Sequence, residues 1–450
     1  MHARFLHLAD VHLGYQQYNS TTRYDDFAKA FLSILGEANK CQVDAVLIAG
    51  DLFNKRAIDA RTLAQAFECL RELKERAIPV IAIEGNHDRS YYRDGMSWLK
   101  FLSAQKMLCL LDPIVREGTP ELAPWNTSTQ RGAYLDLMDG RLRVYGLPWF
   151  GASTTRLITS MADALSRARA HEAQQGVEYR VLMMHTGIEG EVPRLHGLPT
   201  RMELEPLHGL VDYLALGHVH KPYEVGGWIY NPGSPETCSA EEVDWPERGY
   251  YDVEVESERI QENDENLSPP RHRARLLANP RRPYHRLKFR VDGLDAPDLL
   301  IEGFVEFCRY EAAARRAMGP SPVIEVQLQG VLNFDVSALD EPRLEEIVKA
   351  QFQPLLVRLH NTTRDVEYDP DDEGLDGRDR SNWHLLERKI FEELLARDAR
   401  YRPAAGQWAE ELARLKDLAL EGEDPAVIAS RLREARARLL PQPGAPSPEQ

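Results

Sequence analysis

A chain of 450 residues is long enough for two or three domains, because one domain usually takes about 100 to 200 residues. Hydrophobic residues make up 43% of the chain and charged residues 28%, a composition typical of globular and not of disordered proteins. The formal net charge of -16 excludes a uniformly basic nucleic-acid binder, since Lys and Arg normally supply non-specific affinity for phosphates. Binding to DNA would have to rely on local features, such as bound cations or basic rows.

The amino-terminal segment resembles neither a signal peptide nor a membrane span, because His7, Asp10 and His12 interrupt its apolar residues. We therefore expect a cytoplasmic protein without a membrane association. The cysteines are far apart and form no CxxC pair, which argues against a disulfide framework and against a thiolate zinc site. We expect them to be reduced core residues. They are Cys41, Cys69, Cys109, Cys238 and Cys308.

From its start to about residue 258 the chain alternates short β-rich runs with helical stretches, which predicts a layered α/β domain. The runs end in His, Asp or Asn, and in such sheets the ligand site lies beyond the carboxyl ends of the strands. The predicted strands are residues 4–10, 43–51, 79–88, 179–185 and 211–220. The predicted helices between the first three strands are residues 25–40 and 59–76.

The stretch of residues 261–283 is charged and proline-bearing, with little periodicity, which predicts an interdomain connector. Beyond it, apolar and polar residues alternate in 286–291 and in 324–329, as in half-buried strands. A helical stretch, residues 297–316, lies between them. Together these elements predict a small α+β cap domain of residues 284–368.

The last part of the chain follows an acidic, glycine-bearing link, residues 369–379. Residues 381–440 are rich in Leu, Ala, Glu and Arg and carry three apolar stripes at helical spacing, which predicts a helical region. The first stripe is Leu386, Ile390 and Leu394, the second is Trp408, Leu412, Leu415 and Ala419, and the third is Ile428, Leu432, Ala435 and Leu439. These stripes suit either an intramolecular helical hairpin or docking on a partner, and we favour docking. Residues 441–450 are expected to be a disordered tail.

Five short motifs occur in order at the predicted strand ends. They are Asp10-x-His12, Gly50-Asp51, Gly85-Asn86-His87-Asp88, His185 and Gly217-His218-Val219-His220. Residues two apart on an extended backbone point the same way, so Asp10 and His12 can hold one ion. The two carboxylate oxygens of Asp51 can bridge two ions, and Asn86 offers a neutral amide oxygen. Donors of these types predict a site for divalent cations.

These motifs, in this order, resemble those of the calcineurin-like metallophosphoesterase superfamily. Within it, the segments FLHLADVHLGYQQYNSTTRYDDFAKAF, GDLFNKR, EGNHDR, LGHVHKP and NPGSPE are similar to those of the SbcD-type nucleases of DNA double-strand-break repair. The resemblance covers roughly the first 240 residues. It implies an α/β fold: a layered β-sandwich metallophosphoesterase nuclease domain of residues 1–260, a DNA-contacting α+β cap domain and a C-terminal helical region.

The resemblance also implies two metal sites that share Asp51. The first would be formed by Asp10, His12, Asp51 and His220, and the second by Asp51, Asn86, His185 and His218. Two divalent cations and two carboxylates leave a pocket charge of about +2, which attracts a phosphodiester. Donors of oxygen and nitrogen favour manganese, with iron and magnesium left open. His87 would lie beside the cations as the catalytic residue, protonating the leaving sugar oxygen or stabilising the transition state.

The sequence departs from the family pattern at Asn54, where the family usually has a histidine associated with handling the DNA strand. We therefore expect metal binding to be intact and exonuclease efficiency to be in question. The candidate DNA contacts are Tyr15, Asn54, Arg89, Arg286, Lys288 and Arg290. Tyr15 suits core packing equally well, and the three basic residues of 286–290 are also consistent with a solvated strand face.

The functions implied by the resemblance are 3'-5' exonuclease action on duplex ends and endonuclease action on single strands. The implied partners are DNA, an SbcC-type coiled-coil ABC ATPase bound by the helical tail, and a second copy of the chain, with residues 59–76 and 93–103 as candidate dimer helices. One alternative is another phosphodiesterase or a phosphatase of the superfamily, although GNHD followed by Arg89 differs from the phosphatase pattern. The other is a DNA-end-binding scaffold with a vestigial metal site.

Overall fold

The computed structural model describes residues 1–90, 95–193, 195–256, 271–315, 319–365, 388, 390–392, 394–396, 400–420 and 423–440. The chain divides into two compact units. The first is Met1–Gly330 with Ser337–Thr363, and the second is Val331–Val336 with Arg364–Gln450. The expected acidic link, the expected disordered tail and Leu386 of the first apolar stripe lie outside the described residues.

The strands of residues 2–278 form two six-stranded sheets and one hairpin. In chain order they are β1 (His2–Leu8), β2 (Ala45–Ile48), β3 (Val80–Ala82), β4 (Cys109–Leu110), β5 (Val115–Arg116), β6 (Thr119–Pro120), β7 (Tyr134–Leu137), β8 (Leu142–Leu147), β9 (Tyr179–His185), β10 (Tyr213–Gly217), β11 (Tyr223–Val225), β12 (Ile229–Asn231), β13 (Gly249–Glu256) and β14 (Arg271–Ala278). The first sheet has the order β14-β13-β1-β2-β3-β4 and the second β11-β12-β10-β9-β8-β7, while β5 and β6 form a separate hairpin.

The two sheets pack face to face, and helices cover their outer faces. The helices of this region are α1 (Thr21–Lys40), α2 (Ala60–Glu75), α3 (Trp98–Ala104), α4 (Thr154–Gln174) and α5 (Arg201–Leu204). Because side chains alternate across a strand, Phe5 of β1 joins the core between the sheets, whereas Leu6 joins the core beneath α1 and α2. Ile158 of α4 packs on the outer face of the second sheet, beside Leu182. The sequence prediction of a layered α/β sandwich is therefore confirmed.

The strands that carry the motifs run parallel, so their carboxyl ends meet at one edge of each sheet. In the first sheet β1 pairs with β2 and β2 with β3, all in parallel. In the second sheet β9 pairs in parallel with β10, and His185 lies opposite Gly217. The predicted strand 179–185 coincides with β9. The other predicted strands contain β2, β3 and β10 completely, and they contain β1 except for its first two residues. Residues that follow these strands are thereby brought to a common edge.

Local hydrogen bonds explain where the first two helices begin. Ser20 accepts the backbone N–H of Arg23 at the start of α1, and Asp59 accepts that of Thr62 at the start of α2. Such caps satisfy backbone donors that have no partner within the helix. The observed helices match the predicted stretches 25–40 and 59–76 closely, whereas the candidate dimer helix 93–103 begins only at Trp98.

One sequence expectation is wrong. The predicted connector of residues 261–283 contains β14, which pairs antiparallel with β13 over its whole length. Arginines obscure the alternation of apolar and polar residues in β14. An edge strand can carry them because one face of the strand is exposed to solvent. Ala274 and Leu276 pack against the core between the sheets. The first sheet therefore extends beyond the predicted boundary at residue 260, and residues 257–270 lie outside the described part of the chain.

The elements predicted for the cap form a three-stranded sheet with two helices. They are β15 (Tyr284–Arg290), α6 (Pro297–Ala314), β16 (Val323–Leu332), α7 (Glu341–Phe352) and β17 (Leu356–Asp365), in the strand order β15-β16-β17. Leu287 and Phe289 are buried, whereas Lys288 and Arg290 are exposed, as the alternation predicts. The β-α-β arrangement predicted for this stretch is therefore present.

The second unit contains a helical hairpin. Its helices are α8 (Ala405–Leu420) and α9 (Pro425–Leu439), which pack against each other and are joined by an ion pair between Glu411 and Arg438. Trp408 and Leu415 are buried in α8. The intramolecular hairpin, the less favoured interpretation of the stripes, is thus formed by the second and third of them.

Two further expectations concern the chain as a whole. All five cysteines are free. The expectation that they are core residues holds for Cys69 and Cys308, which are buried, but not for Cys41, Cys109 and Cys238, which are only partly buried. Among the described residues, no helix has both the length and the apolar character needed to cross a membrane.

Candidate metal centre

The two sheets together supply the side chains of the candidate metal centre. Asp10, Asp51 and Asn86 follow β1, β2 and β3 of the first sheet, and His185 ends β9 of the second. His12 lies two residues beyond Asp10, and His218 and His220 follow β10. The structure therefore brings donors from all five motifs to the space between the carboxyl ends of the two sheets.

One group of donors surrounds Asn86. Its Oδ1 lies 3.1 Å from His185 Nε2 and 3.1 Å from His218 Nδ1. His185 Nε2 is also 3.4 Å from Asp51 Oδ2. On its other side, His185 Nδ1 donates to the Ala49 carbonyl at 2.8 Å, which places the proton of the neutral ring on Nδ1. In the neutral ring, the Nε2 lone pair is therefore available to a cation held beside Asn86 and Asp51.

A second group surrounds His12. Its Nε2 lies 3.1 Å from Nε2 of His220, and one donor atom each of His12, Asp51 and His87 lie within 4.8 Å of one another. His220 Nδ1 donates to Glu242 Oε1 at 2.7 Å. In the neutral ring, Nε2 therefore carries the lone pair that can bind a cation. Asp10 is fully buried, and both its carboxylate oxygens accept the backbone N–H of His218, at 2.9 and 3.1 Å.

These donors fit divalent cations. Two nitrogen ligands at about 2.0–2.1 Å from a tetrahedral cation are about 3.3 Å apart, close to the 3.1 Å between His12 Nε2 and His220 Nε2. In the described part of the chain, the buried His12 Nδ1 has no hydrogen-bond partner, so no hydrogen bond from that atom fixes the protonation of the ring. Glu242, by contrast, orients His220 as carboxylates commonly orient metal-binding histidines.

The backbone at the centre adopts strained conformations. Asp10, His12, Asp51 and His218 have positive φ angles of 54°, 52°, 52° and 87°. Such angles are uncommon outside glycine and cluster at functional sites, where the surrounding structure holds them. Here they turn the backbone sharply after the strands, at the candidate ligands that lie between the two sheets.

Glycines allow the two sheets to approach closely at this point. A Cβ atom on Gly50, whose φ is +93°, would overlap the His185 ring. A Cβ atom on Gly85 would overlap the Asp51 carboxylate. The glycines of the GD and GNHD motifs are therefore required by the packing of the candidate ligands themselves.

The protonation equilibria of the centre are strongly perturbed in the absence of cations. Burial would raise the pKa of Asp51, but the His185 and His12 imidazoles hold it below its usual value. Burial raises the pKa of Asp10 to about 6 and lowers the pKa of His12 to about 3 and that of His218 to about 4. Clusters of shifted pKa values are typical of functional sites.

His87 lies at the open side of the centre, with 41% of its side chain exposed. Its backbone N–H donates to Asp51 Oδ1 at 2.9 Å. Its Nδ1 donates to the Asn54 carbonyl at 2.7 Å, and its Nε2 is 4.0 Å from Asp51 Oδ2. The ring therefore directs Nε2 towards the candidate cations, and the backbone of Asn54, not its side chain, sets that orientation.

Two carboxylates that support the centre were not identified from the sequence. Asp88 accepts the backbone N–H groups of Gly85 and Phe53 at 3.0 Å and that of Leu52 at 3.3 Å, which ties the GNHD turn to the GD turn. Glu242 was missed because it belongs to no motif. Asp88 was visible within GNHD, but only the folded backbone shows what its oxygens accept.

The candidate DNA contacts differ in their surroundings. Tyr15 packs on Phe27, and Arg89 donates to the Trp149 carbonyl at 2.8 Å and stacks over the Phe150 ring. Both therefore have a structural role in the free protein. The three basic residues of β15 have fewer contacts within the protein. Lys288 is exposed, Arg290 forms an exposed ion pair with Asp292, and Arg286 contacts Gln327.

Comparison with known proteins places this geometry in context. Residues 3–222 match the family model described as calcineurin-like phosphoesterase. The chain is similar to the DNA double-strand break repair protein Mre11 of Archaeoglobus fulgidus, with 32% identity over 53% of this chain and 52% of that protein. It is similar to the protein of the same name from Aeropyrum pernix, with 30% identity over 56% of this chain and 63% of that protein. The chain thus spans about half to two thirds of the length of these curated relatives.

Among solved structures, the calcineurin-like phosphoesterase YfkN from Bacillus subtilis aligns with a TM-score of 0.38 and 12% identity, covering 61% of this chain and 90% of that chain.

Proposed function

We propose that the chain is a two-metal DNA nuclease, starting from the match of residues 3–222 to the calcineurin-like phosphoesterase family model. It acts as a 3'-5' exonuclease on duplex ends and as an endonuclease on single strands, within a DNA repair complex. The family fold implies divalent cations, and the curated relatives are named for the repair of DNA double-strand breaks. The observation that carries the proposal is the convergence of donors from five motifs between the two sheets.

We propose that Asp51 is shared by two cations. The mixed oxygen and nitrogen donors favour manganese, with iron and magnesium as alternatives. Asp10, His12 and His220 complete one site, and Asn86, His185 and His218 complete the other. When bound, two divalent cations polarise the phosphoryl group and activate water for attack. The protein holds the donors in place before the substrate arrives, through the hydrogen bonds of His185 to Ala49 and of His220 to Glu242.

We propose that His87 transfers a proton to the leaving sugar oxygen. Because the Asn54 carbonyl accepts from Nδ1, the second proton of the imidazolium is on Nε2, the atom directed at the centre. That proton can pass to the leaving oxygen, which leaves a neutral ring with the orientation unchanged. Replacement of the family histidine by Asn54 keeps this backbone acceptor and alters only the side chain offered to the DNA strand.

We propose that DNA is held by local positive charge, because the chain as a whole is acidic. The positively charged side chains of Arg286 and Lys288 lie on β15 of the cap sheet. Arg290 can also bind a phosphate if the phosphate replaces Asp292 in its exposed ion pair. Tyr15, Asn54 and Arg89 border the motif loops.

The proposed partners follow from exposed apolar surface and from the family resemblance. In the helical hairpin, Leu420, Val427 and Leu432 remain exposed, and we propose that this region binds an SbcC-type coiled-coil ABC ATPase. We further propose a homodimer formed through α2 and α3, and a cytoplasmic location.

The test is cleavage of end-labelled duplex and circular single-stranded DNA by the purified chain in manganese, with and without the ATPase subunit and ATP. We expect cleavage of both substrates, and none in the Asp51→Ala variant, because that residue serves both cations. We expect His87→Ala to bind manganese as the wild type does and to cleave about 10²–10⁴-fold more slowly, the usual contribution of general acid catalysis.

The matched control is His196→Ala, because the His196 side chain is 81% exposed and pairs only with Glu189 among the described residues. It should cleave at the wild-type rate. A chain that binds DNA ends but cuts nothing, even with ATPase and ATP, would be a scaffold. Hydrolysis of a phosphopeptide in preference to DNA would make it a phosphatase. Either result overturns the nuclease proposal.

A further inference from the structure

Cys238, which we expected from the sequence to be a core residue, lies beside the candidate metal centre. One donor atom each of Cys238, His12 and His220 lie within 4.8 Å of one another. The thiol forms no disulfide, and its contact with the Glu236 carbonyl is long, at 3.7 Å. Thiols are weak hydrogen-bond donors, so this contact holds the sulfur only loosely.

The backbone of Cys238 is held on both sides. Its N–H donates to Glu242 Oε2 at 3.0 Å, and its carbonyl accepts from the Gln17 side chain at 2.8 Å. The same Glu242 orients His220. The position of Cβ is therefore fixed relative to His220, and rotation about the Cα–Cβ bond alone decides where the sulfur points.

The spacing suits a cation with two nitrogen ligands and one sulfur ligand. Tetrahedral zinc, with Zn–N of about 2.0–2.1 Å and Zn–S of about 2.3 Å, requires nitrogen and sulfur about 3.5 Å apart. The two imidazole nitrogens are already at 3.1 Å. The sulfur lies no more than 4.8 Å from either nitrogen, and rotation about the Cα–Cβ bond can adjust its distance to a cation held by both.

We propose that Cys238 is a further ligand, added to Asp10, His12, Asp51 and His220, for thiophilic divalent cations such as Zn²⁺, Cd²⁺ or Co²⁺. On binding, the S–H bond breaks, the proton passes to solvent and a sulfur–metal bond forms, with no change of oxidation state. Manganese and magnesium favour oxygen ligands and leave the thiol protonated. Cys238 thus biases the end of the centre formed by His12 and His220 towards soft cations.

The inference rests on the proposed metal centre but not on nuclease activity, so the test reads the metal directly. The metal-free full-length chain is titrated with Co²⁺. We expect a sulfur-to-cobalt charge-transfer band in the near ultraviolet that disappears in Cys238→Ser, while the visible d–d bands remain. The matched control is Cys41→Ser, which removes another partly buried free thiol and should leave the band intact.

Calorimetry provides the second readout. We expect Cys238→Ser to bind Cd²⁺ at least tenfold more weakly and Mn²⁺ within twofold of the wild type. An equal loss for both cations would mean that the cysteine only supports the fold and would overturn the proposal. Should the variant fail to fold, X-ray absorption of the zinc-loaded wild type decides, because a sulfur neighbour at about 2.3 Å supports the proposal and its absence refutes it. If the wild-type chain shows the cobalt band but cleaves no DNA, only the nuclease proposal is contradicted.

Discussion

Asp88 shows how a single carboxylate supports the metal centre from behind the candidate ligands. It is buried, and its oxygens accept backbone N–H groups from the GNHD turn and from the GD turn. Asp51 and Asn86 belong to those two turns. The distance between a candidate carboxylate ligand and a candidate amide ligand is therefore maintained by a residue that is itself outside the candidate ligand set.

We expect Asp88→Asn to loosen both turns, because the amide offers one acceptor oxygen and directs an NH₂ group at a backbone N–H. An unsatisfied buried donor costs about 1–3 kcal/mol, so the free energy of unfolding in urea should fall by about that amount, and manganese affinity should fall with it. Asp163→Asn is the control, since this side chain is exposed on α4. Unchanged stability and unchanged manganese affinity in Asp88→Asn would show that the two turns hold their positions without it.

The sequence identifies the candidate ligands better than the residues that hold them. Asp10, Asp51 and His185 could be predicted because each lies at or just after a buried strand, where parallel strands place their ends together. Cys238 and Glu242 lie in the segment after β12, with Glu242 in a short 3-10 helix (Ala240–Asp244), and no hydrophobic period indicates the path of this segment. Their proximity to His220 depends on tertiary contacts, so it could be found only in the folded chain.

At the scale of elements, a buried ionic contact connects α1 to the segment that enters the cap. Arg282, just before β15, donates to both carboxylate oxygens of Asp26, at 2.6 and 3.0 Å. Arg23 also donates to Asp26, at 3.0 Å, and reaches Glu236 at 3.1 Å. Such a network leaves uncompensated charges behind when one member is removed, because burial denies them water.

We expect Asp26→Ala to lower the free energy of unfolding by about 3–5 kcal/mol, as for other broken buried pairs. The neighbouring Asp25→Ala is the control. Asp25 also pairs with an arginine, Arg61, but its side chain is 40% exposed against 7% for Asp26, and an exposed pair contributes only about 0–1 kcal/mol. Urea denaturation of both variants measures the difference. Equal losses would mean that burial of the Asp26 contact adds nothing.

Elements with a clear hydrophobic pattern could be predicted, and those without one could not. The strand β9 was located to the residue because YRVLMMH is apolar, is bounded by polar residues and is buried. The strand β14 was missed because Arg273 and Arg275 dominate its sequence. Arg275 pairs there with Asp252 of β13, a cross-strand partner that neighbouring residues in sequence do not reveal.

At the scale of the molecule, the two sheets divide the candidate ligands between them. Asp10, Asp51 and Asn86 come from the first sheet and His185, His218 and His220 from the second. Cations bound by both groups would cross-link the sheets at the edge where their strands end, whereas elsewhere the sheets are joined mainly by the apolar core between them. Metal binding and the stability of the sandwich should therefore be linked.

We expect manganese to raise the free energy of unfolding of the chelator-treated chain by about 2.7 kcal/mol when its free concentration is 100 times the dissociation constant, because the unfolded chain cannot assemble the site. Asp51→Ala should lose most of this gain, since it removes a ligand of both cations, whereas Asp163→Ala should keep it. Urea denaturation with and without manganese measures the gain for each chain. A midpoint that manganese leaves unchanged would mean that the two sheets do not share cations, and the basic side chains of β15 would then be the remaining local positive charge proposed to bind DNA.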